Sequence, residues 1–333
     1  MPSKPYIVAE LSCNHLGQLN RAIKLVEAAK AAGADAVKLQ CWYPGRMCVD
    51  RQYQIMAGTW QGSRLYDLYQ AAFTPWEWFP RLFEYAKNIG IECFSSVFDV
   101  EALAFLEALG CPRYKIASFE ITDLPLIRAV AATGKPIVIS TGMATWNEII
   151  TAHAAAGGHP VTFLKCTSSY PASPSQLNLL TITDGPLRAY GRVGLSDHTL
   201  GHTAAVVATV LGATMIEKHL TLSRSDGGPD AGFSVEPHEL KALVDACRDA
   251  AAALGVVRYG PTEAEKPSLI FRRSLYVRHA IPQGAVLTNE VIAESIVSSR
   301  PALGLPPDYP ILGRRVLRDL PAGTPLREAD LAG

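Results

Sequence analysis

The chain has 333 residues, 31 Lys+Arg against 31 Asp+Glu for a net charge of zero, and 48% hydrophobic residues. That length accommodates one large domain plus a small one, and the even charge leaves no basic footprint for a nucleic-acid partner. No apolar run reaches the roughly 20 residues of a membrane span, Met1 to Tyr6 leads into a strand pattern without a signal-peptide core, and the seven cysteines are scattered with no CxxC pair, so a reduced, cytoplasmic setting is expected.

From the N-terminus onward, short β-branched runs alternate with Ala/Leu-rich amphipathic stretches. Strands are predicted at 6–11, 36–40, 91–95, 113–117, 136–140, 161–166, 192–195 and 214–218, and helices at 20–32, 75–88, 100–109, 124–132, 145–156, 203–211 and 237–254. Only the connection after the sixth strand does not read as one helix. Eight strands with crossover helices predict an α/β protein built on a (β/α)8 TIM barrel. A doubly wound open sheet is the alternative, weakened by the absence of a GxGxxG after the first strand. The barrel is assigned to residues 1–260, a charged, proline-bearing linker to 261–273, and a small β-rich domain to 274–333. The small domain carries an internal repeat at a shift of 39 residues, Ile281-Pro282-Gln283-Gly284-Ala285-Val286-Leu287 against Leu320-Pro321-Ala322-Gly323-Thr324-Pro325-Leu326. Each copy reads as strand, turn, strand. About 60 residues are marginal for independent stability, so the small domain is expected to pack on a barrel.

Two histidines stand at predicted strand ends, in Gly194-Leu195-Ser196-Asp197-His198-Thr199 and Ile216-Glu217-Lys218-His219-Leu220-Thr221. Strand C-termini are where parallel α/β proteins do chemistry, and paired imidazoles suit a divalent metal. Strand alternation sorts the neighbours by face. In Ala36-Val37-Lys38-Leu39-Gln40 the apolar Val37 and Leu39 pack on helices, which turns Lys38 and Gln40 inward. The same logic turns Glu10, Lys115, Ser196, His198, Glu217 and His219 inward. Buried charges need partners, so such a mouth calls for an anionic ligand plus a cation, with Lys38, Lys115, Ser96, Ser118 and Ser196 suited to phosphate and carboxylate. His153, His159 and His279 read as surface residues, His202 as the start of a helix, and the stretch Trp76-Glu77-Trp78-Phe79 as helix-start packing. His15 either lines the mouth or hydrogen-bonds within its loop. The turn Asp226-Gly227-Gly228-Pro229-Asp230 lies just after His219, where Asp230 has access to the site.

Together these stretches resemble the sialic acid synthase family along essentially the whole chain. The matching segments are 9–17, Val37-Lys38-Leu39-Gln40, Tyr114-Lys115-Ile116-Ala117-Ser118-Phe119-Glu120, Ser140-Thr141-Gly142-Met143, Lys165-Cys166-Thr167-Ser168-Ser169-Tyr170-Pro171, 194–199, 217–221 and Gly228-Pro229-Asp230. The last 60 residues resemble the family's antifreeze-like (SAF, β-clip) domain, including Ser299-Arg300-Pro301. Leu65-Tyr66-Asp67-Leu68-Tyr69 with Thr74-Pro75-Trp76-Glu77-Trp78, then 115–120 and 222–230, resemble the branch acting on 2,4-diacetamido-2,4,6-trideoxy-L-altrose. The chain departs from the usual patterns at Phe79, Val97 and Ser168.

The resemblance implies condensation of phosphoenolpyruvate with an open-chain amino-sugar aldehyde, phosphate leaving by C–O cleavage. It implies a divalent metal, Mn2+ or Mg2+, held by His198 and His219. It gives Lys38, Gln40, Ser96, Lys115, Ser118, Ser168 and Ser196 to phosphoenolpyruvate, with Tyr170 nearby and Glu217 beside the imidazoles. Glu10 is implied in water activation or aldehyde contact, and Glu120, Asp230 and Arg300 in contact with the sugar. It further implies a homodimer in which the small domain caps the partner barrel and Arg300 acts in trans. The alternatives are the same reaction giving neuraminic or legionaminic acid, and a non-catalytic carbohydrate-binding protein.

Overall fold

The computed structural model describes residues 4–332. The chain forms two compact units, Met1–Val256 and Val257–Gly333. In the first, the parallel strands β1 (Tyr6–Glu10), β2 (Ala36–Cys41), β3 (Glu92–Val97), β4 (Tyr114–Ile116), β5 (Ile137–Ser140), β6 (Val161–Cys166), β7 (Arg192–Asp197) and β8 (Met215–His219) close into a barrel in chain order. β8 pairs back on β1. Closure excludes the open-sheet alternative and leaves no barrel strand with a free edge.

The helices are α1 (Leu19–Ala32), α2 (Pro44–Met47), α3 (Leu65–Ala72), α4 (Phe79–Ile89), α5 (Val100–Ala108), α6 (Leu124–Ala131), α7 (Trp146–Ala155), α8 (Gly185–Tyr190), α9 (Thr203–Val210) and α10 (Pro237–Leu254). α1 buries Ala22, Leu25, Val26, Ala29 and Ala32, an i, i+3, i+4 stripe that faces the barrel wall. The side chains of Asp99, Asp123, Thr145 and Asp184 cap the first turns of α5, α6, α7 and α8. Each such cap contributes about 1 kcal/mol, and those of Asp99, Asp123 and Thr145 follow on the C-termini of β3, β4 and β5. Among the described residues no helix is long and apolar enough to cross a membrane.

Strand register sets the site. Glu10 lies opposite both Lys38 and His219, Gln40 opposite Ser96, Ser96 opposite Lys115, and Ser196 opposite Glu217. Every one of these residues therefore stands near one level at the same end. Outward-facing positions are equally determinate: the Tyr114 hydroxyl donates to Glu107 on α5.

The connection from β2 to α4 is longer and more irregular than the helical reading, and the one after the sixth strand, which did not read as one helix, is irregular. Between β2 and α4 the chain makes a long excursion containing α2, α3 and a hairpin in which Gln54 bridges Arg64. Between β6 and β7 it runs through two 3-10 turns before the six-residue α8.

In the second unit, β9 (Ser274–Val277) pairs antiparallel with β10 (Ile296–Ser299), and α11 (Asn289–Ser295) leads into β10. The sequence repeat is a structural one. Ile281 and Leu320 exchange backbone hydrogen bonds of 3.0 and 2.9 Å. Gly284 and Gly323 both take φ near +84°, and their N–H groups donate to Val316 and Val277, positions again 39 apart. The repeat arms form single bridges rather than full strands, because Pro282 and Pro321 lack the N–H that a ladder requires. Residues 266–271 form a 3-10 turn whose Ile270 and Phe271 carbonyls accept from Ala302 and Arg300. Leu275, Val277, Ile281, Leu287, Ile311, Val316, Leu320, Leu326 and Leu331 form this unit's own core.

Candidate active site

A cavity of about 470 Å³ opens at the strand C-termini of the barrel. Its floor is charged. The Lys38 ammonium lies 2.7 Å from Glu10 and 3.3 Å from Glu217, and donates to Ser96 at 2.9 Å. Lys115 stands 3.5 Å from the other Glu217 oxygen, which also accepts from Ser196 at 3.0 Å. Lys38 and Lys115 are only 3% and 2% exposed. An unpaired ammonium there would cost several kcal/mol, so these contacts are a condition of the fold.

The two lysines differ. Burial opposes charge on Lys38, but Glu10 and Glu217 outweigh it and hold its pKa above the ordinary value. Burial wins at Lys115 and lowers it, Glu217 compensating only in part. Between the lysines, Glu217 is held well below the usual carboxylate range, Lys115 and Lys38 overcoming its desolvation. Glu10, fully buried, is pushed up to about 7 by burial, with Lys38 pulling the other way. The cluster thus contains one strongly ionised carboxylate and one weak acid.

Beside this floor, the rings of His198 and His219 lie 5.4 Å apart. The Thr167 carbonyl accepts from His198 Nδ1 at 3.1 Å, which leaves Nε2 without the proton in the neutral ring. His219 Nδ1 is buried without a hydrogen-bond partner, 3.7 Å from Asp230. Burial, then the neighbouring His198, hold His219 far below the ordinary imidazole value. Asp230 in turn accepts from the Ser12 hydroxyl. Burial opposes charge on His198, but its hydrogen bonds to Cys166 and Thr167 outweigh that and raise its pKa. This ring, beside the neutral His219 with its orphaned nitrogen, fits a divalent cation whose remaining positions go to substrate and water. Among the described residues no third His, Cys, Asp or Glu completes a ligand cluster. Behind the wall, Lys218 and Asp197 form a fully buried 2.8 Å ion pair between β8 and β7, one position from each histidine, and Lys218 also donates to the Thr199 carbonyl.

Ser118, Ser140 and Glu120 line the far side. Gly142 donates its N–H to Ser118 Oγ at 3.1 Å. A Cβ on Gly142 would fall 2.2 Å from Ser168 Oγ and 2.7 Å from Ser118 Oγ, so only glycine permits this approach. Ser140 Oγ and Glu120 Oε2 are buried without partners. Burial raises the Glu120 carboxyl to about 7, with Lys115 opposing. Orphaned polar atoms on a concave surface mark a ligand site.

The cavity brings together Lys38, Gln40, Ser96, Lys115, Ser118, Glu120, Tyr170, Ser196, His198, Glu217, His219 and Asp230. Glu10 stands one residue behind it: one oxygen accepts from Ser12 N and the other meets Lys38. Its contact with the cavity runs through that lysine. Ser168 sits beside Ser118 at the back, near Cys166. Arg300 belongs to the second unit, exposed, its Nε donating to the Phe271 carbonyl. His15 bonds within the loops: Nε2 meets Thr74 Oγ1 at 2.9 Å and Nδ1 accepts from Gly17 at 3.1 Å. His153 is half-buried against Tyr190 and Phe163 rather than on the surface, because α7 packs beside α8 there.

Sequence reasoning missed the aromatic side of the cavity, formed by Trp42, Trp60, Phe98 and Phe233 with Tyr170. It also missed Cys166, 3.8 Å from His198 Nδ1. Burial raises this thiol, but its hydrogen bond to His198 outweighs that and brings it down to about 7.

The chain is similar to known proteins along essentially its whole length. Residues 25–259 match the NeuB family and residues 272–332 the SAF domain. The chain is 42% identical to the pseudaminic acid synthase of Helicobacter pylori over 341 residues, 99% of each chain. It is 40% identical to that of Campylobacter jejuni subsp. jejuni over 335 residues, 98% of this chain and 96% of the other. The crystal structure of N-acetylneuraminic acid (sialic acid) synthetase from Leptospira borgpetersenii serovar Hardjo-bovis in complex with citrate superimposes with a TM-score of 0.72 at 30% identity. That match covers 81% of this chain and 92% of the other.

Proposed function

The chain belongs to the NeuB family, and from that premise we propose that it catalyses the pseudaminic acid synthase reaction. In this reading phosphoenolpyruvate condenses with the open-chain aldehyde of 2,4-diacetamido-2,4,6-trideoxy-L-altrose to give a nine-carbon nonulosonic acid and phosphate. The observation that carries the reading is the union, in one cavity, of two buried lysines, a ring of serine hydroxyls and a pair of imidazoles. The named relatives at 40–42% identity support the choice of sugar.

Lys38 and Lys115 hold the phosphate and carboxylate of phosphoenolpyruvate, and Gln40, Ser96, Ser118, Ser168 and Ser196 complete its hydrogen bonds, with Tyr170 beside them. Ser140 and the Gly142 N–H belong to the same cradle. Glu217 keeps both lysines charged and oriented, and Glu10 does the same for Lys38 from behind. C3 of phosphoenolpyruvate bonds to the aldehyde carbon, the aldehyde oxygen takes up a proton, water adds at C2, and phosphate leaves with C–O cleavage. Glu120, whose carboxyl titrates near 7, and Asp230 meet the sugar hydroxyls. His198 and His219 would hold Mn2+ or Mg2+, which when bound supplies Lewis-acid polarisation at the aldehyde oxygen.

We further propose a cytoplasmic homodimer, in keeping with seven free, buried cysteines, with Arg300 of one chain reaching the sugar in the barrel of the other. The test is phosphate release from phosphoenolpyruvate with a panel of aldehyde sugars. The trideoxy diacetamido sugar is expected to give the highest kcat/KM. Preference for N-acetylmannosamine or for the legionaminic acid precursor would overturn the choice of sugar, and phosphate release with no sugar would overturn the reaction.

A further inference from the structure

From the aromatic side of the cavity we infer that Trp60 is a specificity-determining residue that selects an acceptor sugar by its methyl groups. The inference rests on the reading above and goes beyond it by assigning the selection to the segment between β2 and α4. Residues 53–65 form a hairpin: Gln54 bridges Arg64, and Ile55 and Gly62 and Ser63 exchange backbone hydrogen bonds of 2.9 Å. The hairpin reaches the loops that follow β6 and β8. Thr59 Oγ1 donates to the Tyr170 carbonyl, and Trp60 Nε1 donates to the Pro229 carbonyl at 3.0 Å.

Those bonds orient the indole. Its ring lies 5.3 Å from Tyr170 and 6.4 Å from Phe233, and Tyr170 lies 4.3 Å from His198. A continuous aromatic wall therefore runs outward from the imidazole pair. The indole N–H is already spent on Pro229, so Trp60 offers the cavity carbon surface and no hydrogen bond. An acceptor whose aldehyde carbon sits at the histidines presents its more distant carbons to this wall. Polyhydroxylated carbons would lose water there without replacement, whereas a deoxy methyl or an acetamido methyl loses nothing polar. Selection by such a surface is worth about tenfold to a hundredfold per group.

The experiment compares the 2,4-diacetamido-2,4,6-trideoxy sugar with two analogues, one with a hydroxymethyl in place of the 6-methyl and one with a hydroxyl in place of the 4-acetamido group. The wild type should prefer the parent sugar over at least one analogue by about tenfold or more in kcat/KM. Trp60→Ala should compress that ratio below about threefold, mainly through the sugar KM, with the KM for phosphoenolpyruvate within about twofold of wild type. Trp60→Leu, which keeps apolar surface without the Pro229 bond, should restore part of the ratio and guards against a misfolded hairpin. Preserved ratios in Trp60→Ala, or an equal loss on all three sugars, would overturn the role of Trp60. A wild type that does not discriminate would overturn it too. A wild type that does not turn over the parent sugar would instead overturn the reaction on which the inference rests.

Discussion

Lys115 is the less settled of the two site lysines: burial lowers its pKa, and among the described residues a 3.5 Å contact to Glu217 is its one ion pair. A phosphate arriving beside it restores what desolvation removed. Charge-assisted contacts of this kind contribute about 1.5–3 kcal/mol, so Lys115→Ala should raise the KM for phosphoenolpyruvate about tenfold or more while the sugar KM moves little. An unchanged value would remove Lys115 from the phosphate site. His219 makes a different case, since its orphaned Nδ1 satisfies nothing in the protein. His219→Ala should abolish turnover with the circular dichroism spectrum intact, and should weaken Mn2+ binding measured by calorimetry. Near-normal activity after chelation of metal would end the proposed role of the imidazole pair.

At the scale of elements, the strands were legible because alternation is strict where one face packs on helices and the other meets a ligand. Lys38 between Val37 and Leu39, and Lys115 between Tyr114 and Ile116, could be oriented from the pattern alone. The segment between β2 and α4 was not legible. α3 has eight residues, the hairpin is mostly exposed, and Trp60 acquires its place through Tyr170 and Pro229, more than 100 residues away. Cys166 was hidden for a similar reason, as its proximity to His198 follows from β6–β7 register. His15, open between two readings, is settled by Thr74 in that same excursion. Burial lowers its pKa to about 4, and a proton on Nδ1 would break the bond from Gly17. The unfolded chain therefore takes up this proton first as pH falls below about 6.5. The resulting contribution is full above pH 6.5 and is lost as pH drops toward 4, by up to about 3 kcal/mol. In urea melts, the gap between wild type and His15→Gln should be widest near pH 7 and shrink progressively to pH 4.5; a gap constant across that range would contradict the assignment.

The whole molecule consists of two units with separate cores, and the cavity described above is built from the barrel alone. If Arg300 acts on a partner's barrel, an inactive Arg300→Ala chain and an inactive Lys115→Ala chain carry complementary defects. Mixed dimers should then regain up to about a quarter to a half of wild-type activity, since one of their two sites is intact. No recovery in mixed dimers verified by mass would show that each site is completed within one chain. The ion pairs on the cavity floor have a consequence for encounter. Lys38 is matched by Glu10 and Lys115 by Glu217, and the chain as a whole carries no net charge. A triply charged anion diffusing past at more than about 8 Å, the screening length in physiological salt, meets almost no field drawing it in. Capture is unsteered, and discrimination begins only on contact, when the ligand joins the lysines beside their carboxylates. Raising salt from about 50 to about 300 mM should therefore change kcat/KM for phosphoenolpyruvate by less than about threefold, where an open cationic funnel would lose far more.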